Sequence, residues 1–253
     1  MNSIKVIITH NDENHNMDKC LKSVKETGDS FIMVDFVDSD KAREFCRSNE
    51  IRYLKNEAAV INSLLGEHSN DKKDEFIFLI GSNEYISSNL RNNLLKLKNK
   101  LKSDIYRLIV RKNYYGRWMK HSGLYPNWEA RLFRQKKAVW TANTIKLKPR
   151  FRAGAEYDKF IGEIYKIVYS SIYNHIDQVN KSTETEAELL LVLGRKTNAL
   201  KILFKPLSQF MRLFVVQMGF LDGFYGLANA VISAYSHFLA QVKLKYQRRL
   251  KEI

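Results

Sequence analysis

The N-terminal part of the chain alternates short apolar runs with amphipathic stretches. Runs of apolar, often β-branched residues predict strands at 4–8, 31–36, 76–80 and 106–110. Apolar residues at helical spacing predict helices that begin near Met17, Asp40, Glu57 and Ser87. Strands that alternate with helices in this way predict a mostly parallel sheet flanked by helices, which is an α/β fold.

Polar residues follow three of the predicted strands directly, at 9–12, 35–40 and 81–84. The carboxyl ends of parallel strands lie along one edge of a sheet, and ligands of α/β proteins usually bind just outside that edge. We therefore expect the functional site at these strand ends.

The C-terminal part has a different pattern. An aromatic and basic stretch runs to Arg134, a less regular region follows to about Ser182, and the remainder is helical by its spacing. Residues 210–242 are largely apolar, but polar residues in the second half of this stretch make it a weak membrane span. The stretch predicts either a helix that lies on a membrane surface or one that packs in a core.

Composition favours a folded cytoplasmic protein. The 253 residues are 45% hydrophobic and include only 3 prolines, so extended disorder is not expected. Cys20 and Cys46 lack the spacing of a zinc site or of a disulfide framework. The chain starts with a strand-like run rather than a secretion signal, so we expect a cytoplasmic location.

Positive charge is concentrated in one stretch. The formal net charge is +15, and residues 107–152 contribute +12 of it, from 13 Lys/Arg against the single acid Glu129. Such a basic field favours an anionic partner, which charge alone leaves open as nucleic acid, membrane phospholipid or a phosphorylated substrate.

Four parts of the chain carry motifs that choose among these partners. They are Ile7 to Glu13 with Cys20 to Val24, Val34 to Asp40, Tyr106 to Arg134, and Gly219 to Leu227 with its Gly-Phe-Leu-Asp-Gly element. Together they resemble the family 2 glycosyltransferases of the lipopolysaccharide-core type over nearly the whole chain. The resemblance implies a GT-A-like nucleotide-sugar transferase fold with a helical C-terminal extension, and transfer of a sugar from a nucleotide-sugar donor to a cell-envelope glycolipid or polysaccharide.

The resemblance also implies a division of the chain and a set of donor-binding residues. Residues 1–105 would form the nucleotide-sugar-binding half, 106–182 the acceptor-side half of the same domain, and 183–253 the helical C-terminal region. The implied donor-binding residues are Thr9, Asn11, Asp12, Asp35, Asp40 and Asn62.

The sequence departs from the family where a divalent cation would bind. The family's Asp-Ala-Asp-Glu is Gly81-Ser82-Asn83-Glu84 here, and Ile145-Lys146-Leu147 stands where the family has Val-His-Glu. Glu84 is then the candidate catalytic residue and Asn83 a candidate metal ligand. With so few carboxylates we expect the site to hold Mg²⁺ or Mn²⁺ poorly.

On the acceptor side, aromatic faces that pack on sugars and guanidinium groups that grip anions are interleaved. The predicted acceptor-binding residues are Arg111, Arg117, Trp118, His121, Tyr125, Trp128, Arg131 and Arg134. An anionic glycolipid acceptor and the basic tail after Lys243 together predict peripheral association with the inner face of the cytoplasmic membrane.

Three interpretations follow from these features. In the first, basic residues such as Lys146, Lys148 or Arg150 neutralise the donor diphosphate in place of a metal, Glu84 or another acid serves as the base, and the chain is an active transferase. In the second, the chain is a non-catalytic relative that binds glycolipid. The third, a nucleic-acid-binding protein, explains neither the strand-end acids nor the C-terminal helices, so we expect no nucleic-acid partner.

Overall fold

A computed structural model of the chain describes residues 2–11, 17–55, 75–143, 146–195 and 197–251, with the side chains of 141–148 and 251 left aside. The chain divides into two compact units. Unit 1 comprises Met1–Val110 and Trp128–Lys166, and unit 2 comprises Arg111–Asn127 and Ile167–Ile253.

The first four strands form the parallel part of a nine-stranded sheet. They are β1 (Ser3–His10), β2 (Ser30–Asp35), β3 (Arg52–Lys55) and β4 (Glu75–Gly81). They pair in the order β3-β2-β1-β4, and every pair among them is parallel. Because parallel strands need crossover connections, helices separate the first three: α1 (Met17–Val24) and α2 (Asp40–Ser48).

Antiparallel strands extend this sheet beyond β4. They are β5 (Glu84–Ile86), β6 (Ile105–Tyr114), β7 (Arg117–Trp118), β8 (Trp128–Arg134) and β11 (Tyr157–Tyr169). The order continues from β4 through β8, β6 and β11 to β5, and β7 pairs with β6. Strands β9 (Ala138–Asn143) and β10 (Lys146–Phe151) form a separate antiparallel pair.

The sheet of unit 1 buries apolar side chains on both faces. Alternate residues of β1 illustrate this, since Val6 and Ile8 belong to one cluster and Ile7 to the other. The first cluster packs against α1, α2 and α3 (Ser88–Leu97), and the second includes Trp140 of β9 with Phe151 of β10 at its margin. The α/β class predicted from the sequence is confirmed.

Two details of the sequence prediction are wrong. The region expected to be irregular up to about Ser182 holds β9, β10 and the 13-residue strand β11. Its many exposed charged positions hid the strands, because the burial of β11 is confined to a few residues such as Phe160 and Ile164. The helix after it, α4 (Ile172–Val192), begins earlier than expected. Its N-cap is Ser171, whose hydroxyl accepts from the Asn174 N–H. The helix predicted over 57–65 lies outside the described residues.

Unit 2 is mainly helical. Besides α4 it contains α5 (Ala199–Met211), a π-helical turn at Arg212–Val216, a 3₁₀ turn at Gly219–Asp222 and α6 (Phe224–Lys251). Helix α6 comes very close to the preceding turn: a Cβ added at Gly226 would lie 1.8 Å from the carbonyl oxygen of Gly219. Only glycine fits at residue 226. Among the described residues, no helix is long and apolar enough to cross a membrane.

Candidate functional site

Strand pairing brings the three polar strand ends of unit 1 to one edge of the sheet. In the register, His10 lies opposite Asp35 and Thr9 lies opposite Gly81. Two further backbone hydrogen bonds continue the ladder past the strand ends, from Phe36 N–H to the His10 carbonyl and from Ser82 N–H to the Thr9 carbonyl, both 2.9 Å. The edge predicted from the sequence therefore exists.

Asp35 shapes the loop that connects β2 to α2. Its carboxylate is buried, with 1% of the residue exposed. One oxygen accepts from Val37 N–H at 2.9 Å, and the other accepts from Ser39 N–H at 2.8 Å and from the Tyr53 hydroxyl at 2.9 Å. The Val37 and Ser39 N–H groups lie in the loop, outside helix and strand hydrogen bonding, and Asp35 supplies their acceptors. Asp35 therefore holds the loop in place.

In this loop and at the start of α2, acidic side chains are paired with cations at the surface. Asp38, at φ +59°, forms ion pairs with Arg43 and with Lys55, the latter at 2.6 Å. Hydrogen bonds from Lys55 and Arg43 lower the pKa of Asp38. Asp40 is 94% exposed and lies 3.0 Å from the same Arg43. Asp40 is a predicted donor-binding residue, whereas Tyr53, Arg43 and Lys55 were not predicted, because no motif marks them.

At the end of β1 the side chains lie close to the next loop. His10 is fully buried, with its Nδ1 atom 3.0 Å from the Ser82 hydroxyl. The Thr9 hydroxyl donates a long hydrogen bond of 3.5 Å to the Ile80 carbonyl, and Asn11 is exposed. Two other predicted donor-binding residues, Asp12 and Asn62, lie outside the described residues.

Glu84 is the centre of a buried ionic cluster. Its side chain has no exposed area, and one oxygen lies 2.8 Å from Arg131 Nη2 and 2.9 Å from Lys166 Nζ. The other oxygen accepts from Gly81 N–H at 2.8 Å. Burial alone would raise the pKa of Glu84, but the charges of Arg131 and Lys166 and the Gly81 N–H outweigh it and lower the pKa to about 2.

Such a carboxylate is a poor proton acceptor, because it is held ionised and its oxygens are engaged. The sequence prediction of a catalytic Glu84 therefore receives no support from the geometry. Lys166 was not foreseen, since it lies far along the chain and meets Glu84 only through the pairing of β11 with β5.

Arg131 turns into this cluster rather than toward solvent. It also pairs with Glu129 at 2.8 Å and donates to the Leu79 carbonyl at 3.3 Å. Its side chain is 9% exposed, whereas that of Lys166 is 29% exposed. The prediction that Arg131 grips an acceptor is not supported, because its guanidinium is already engaged by two carboxylates and a carbonyl.

The residues present do not fit a divalent cation. Glu84 faces two cations, and a metal ion beside it would be repelled by both. A Cβ added at Gly81 would lie 2.7 Å from the side-chain oxygen of Asn83, so the loop is tightly packed. Within the described ranges, no group of three or more His, Cys, Asp or Glu side chains could hold a metal.

Two other predicted acceptor residues lie elsewhere in unit 1. Arg134 is opposite Phe76, near the start of β4 and thus away from the strand ends, and it pairs with Asp104 at 3.3 Å. Trp128 begins β8, with the Lys159 ammonium 4.9 Å from its ring centroid. Trp128 and Arg134 therefore occupy opposite ends of the same strand.

The remaining predicted acceptor residues lie in unit 2, where cations stack on aromatic rings. The Arg111 guanidinium lies 5.6 Å from the Tyr125 ring centroid, and that of Arg117 lies 5.2 Å from Tyr225. Trp118 pairs with Asn113 across β7 and β6. Such cation–π pairs use the face of the guanidinium group and hold it in a fixed orientation.

His121 is oriented by a buried acid. Its Nδ1 atom lies 3.2 Å from Asp222, whose side chain is 4% exposed, while the imidazole is 34% exposed. Asp222 also accepts from the backbone N–H groups of His121 at 2.9 Å and Lys120 at 3.3 Å. The contact with Asp222 fixes the orientation of the ring and leaves Nε2 on the side away from the carboxylate.

Unit 2 also contains a cluster of rings that sequence reasoning did not single out. His175 is stacked on Tyr169 with centroids 3.6 Å apart, and its Nδ1 atom contacts the Tyr115 hydroxyl. Burial lowers the pKa of His175 to about 4 and raises that of Tyr115 to about 12. Both groups are therefore neutral near pH 7.

Comparisons with known proteins give weak likenesses only. No family model matches the chain. Staphylococcus aureus TarS, residues 1–349, is 12% identical with a TM-score of 0.44, over 98% of this chain and 91% of that one. The structure of TarS 1–349 with UDP-GlcNAc is 12% identical with a TM-score of 0.42, over 98% of this chain and 92% of that one. A 4-diphosphocytidyl-2C-methyl-D-erythritol synthase is 12% identical with a TM-score of 0.35, over 53% of this chain and 76% of that one.

Proposed function

We propose that this chain is a family 2 glycosyltransferase that moves a sugar from a nucleotide-sugar donor to a cell-envelope glycolipid of the lipopolysaccharide-core kind. The observation that carries the proposal is the meeting of three polar strand ends on one edge, with His10 opposite Asp35 and Thr9 opposite Gly81. This edge of an α/β sheet is where nucleotides usually bind. The motifs of the sequence point to the same edge.

In this proposal the donor nucleoside contacts the loop after β2. Asp35 fixes the loop through Val37, Ser39 and Tyr53, and the loop in turn presents backbone groups and the exposed Asp40 to the ligand. Thr9 and Asn11 lie at the neighbouring strand end. The roles of Asp12 and Asn62 stay predictions.

Positive side chains, rather than a metal, would neutralise the leaving diphosphate. Lys166 supports this role because its ammonium has three N–H donors and the structure gives Glu84 as the acceptor of one. It is also more exposed than Arg131, which Glu84 holds beside it. The same role for Lys146, Lys148 and Arg150 stays a prediction from the sequence.

We assign acceptor binding to the segment Arg111–Asn127 of unit 2, which carries Arg111, Arg117 and His121. The support is chemical: fixed guanidinium groups suit phosphate or carboxylate groups of a glycolipid, and the oriented imidazole suits a sugar hydroxyl. A glycolipid acceptor also fits a protein that binds peripherally to the inner face of the cytoplasmic membrane.

One observation favours a second function, that of a non-catalytic glycolipid-binding protein. Glu84, the carboxylate that sequence motifs single out for catalysis, is buried and fully engaged. Loss of a base would abolish transfer but leave the acceptor segment of unit 2 unchanged.

A three-part experiment tests both functions. Calorimetric titration with UDP-, GDP- and ADP-sugars, with and without Mn²⁺, measures donor binding, and release of the nucleoside diphosphate in the presence of glycolipid measures transfer. Co-sedimentation with vesicles that contain the glycolipid measures glycolipid binding. Binding with release supports the enzyme. Glycolipid binding with neither donor binding nor release supports the second function.

A further inference from the structure

Helix α5 of unit 2 presents an apolar stripe that nothing in the described structure covers. None of its residues is fully buried. Leu200, Leu203, Phe204, Leu207 and Met211 follow the helical spacing of one face and are 64%, 67%, 58%, 54% and 47% exposed. In a helix of a soluble core, this stripe would be the buried face.

The segment after α5 continues this apolar surface. Val216 is 73% exposed, Met218 54%, Phe220 50% and Phe224 64%. Internal contacts fix the segment despite this exposure, since Asp222 is buried and accepts from the backbone of Lys120 and His121. Exposed apolar side chains held on an ordered backbone mark an interaction surface rather than a disordered tail.

The charge around this surface selects the partner. Between residues 197 and 251 the chain has eight basic residues and one acid, Asp222, which is buried. Lys201 and Lys205 lie on α5 beside the stripe and are exposed. Two copies of the chain that met through this surface would bring like charges together, whereas an anionic lipid leaflet would attract them.

We propose that the α5 stripe and the segment 212–224 insert into the interface of an anionic membrane leaflet, with Lys201 and Lys205 at the level of the headgroups. This inference rests on the membrane association in the proposed function and names the surface responsible. It differs from the sequence expectation, which located the contact after Phe210 and in the basic tail. Apolar insertion with flanking lysines is the pattern of interfacial helices.

Co-sedimentation with vesicles tests the proposal. The full chain should bind vesicles of phosphatidylcholine that contain phosphatidylglycerol, and bind less at high salt or to phosphatidylcholine alone. Leu203→Glu and Phe204→Glu should each weaken binding at least ~10-fold, because each removes the insertion of a large apolar side chain. Leu95→Glu on α3 is the matched control, since Leu95 is 46% exposed and lies on another helix.

The outcomes separate the surface from the membrane association itself. Wild-type protein that ignores both vesicles contradicts the association and the surface together. Wild-type binding that Leu203→Glu and Phe204→Glu leave unchanged contradicts the surface alone. A wild-type dimer in light scattering that Leu203→Glu converts to a monomer also overturns the proposal, because a second copy would then cover the stripe. Donor titration in parallel shows whether each variant is folded and keeps the donor site.

Discussion

Two carboxylates of unit 1 are each held by two cations, and the comparison shows what burial does to the same chemistry. Glu84 pairs with Arg131 and Lys166 inside the protein, and Asp38 pairs with Arg43 and Lys55 at its surface. Neighbouring cations lower the pKa of both. Water can replace the partners of Asp38 but not those of Glu84, so loss of a partner should destabilise only the buried cluster strongly.

The largest expected effect follows from removing the buried charge. Glu84→Gln leaves Arg131 buried with only Glu129 as counter-ion, while Lys166 can turn toward water. We expect a loss of about 3–5 kcal/mol in the free energy of unfolding, measured by urea denaturation. Glu26→Gln is the control, since Glu26 is 65% exposed and its distance to Arg91 is 3.9 Å. Equal losses in both variants would contradict the contrast.

The pH dependence of stability should report the same cluster. The pKa of Glu84 falls from the ordinary 4.5 to about 2 in the folded chain. A lowered pKa stabilises the folded state above pH 4.5, and this contribution of about 3 kcal/mol is lost as the pH falls from 4.5 toward 2. Urea denaturation at successive pH values measures the slope, and Glu84→Gln should flatten it. A slope unchanged in that variant would refute the assignment.

Asp35 should give an intermediate effect. Asp35→Asn keeps one oxygen for Val37 N–H but places an amide N–H₂ group opposite the donors Ser39 N–H or Tyr53 OH. We expect a loss of about 1–3 kcal/mol in stability, because a buried donor faces a donor. Donor affinity should fall with it, since the loop loses its anchor. Calorimetric titration of the folded Asp35→Asn variant measures the donor affinity. An unchanged affinity would show that the loop is not part of the donor site. Tyr53→Phe is the milder control.

The smallest effect is expected at the surface pair. Asp38→Asn should leave the denaturation midpoint close to that of the wild type, because exposed ion pairs contribute little. Lys55→Gln should behave alike. A drop as large as that of Glu84→Gln would show that burial does not separate the two clusters.

Local patterns explain what the sequence predicted and what it did not. The strands β1, β2 and β4 are short apolar runs, so their ends and the polar residues after them were readable. The partners of Glu84 were not, because Arg131 and Lys166 reach it through strand pairings between distant parts of the chain. The same limit hid Asp222 as the partner of His121.

Gly81 and Asn83 stand where the resembled family has acids, so the sequence predicted a weak metal site. It did not predict the ion pairs of Glu84 with Arg131 and Lys166. The double variant Gly81→Asp with Asn83→Asp would place two further carboxylates beside Glu84. Glu84 is already engaged by its partners, and a Cβ at Gly81 would crowd Asn83 and Glu84. Isothermal titration with Mn²⁺ should therefore find no gain in that double variant.

The central claim is that the strand-end edge of unit 1 binds a nucleotide-sugar without a metal. The most direct measurement is calorimetric titration of the wild-type chain with UDP-, GDP- and ADP-sugars, in EDTA and in Mn²⁺. We expect binding of one nucleotide class in EDTA, with an affinity that Mn²⁺ leaves unchanged and that Lys166→Met weakens. Binding that appears only with Mn²⁺, or no binding of any of the three, would contradict it.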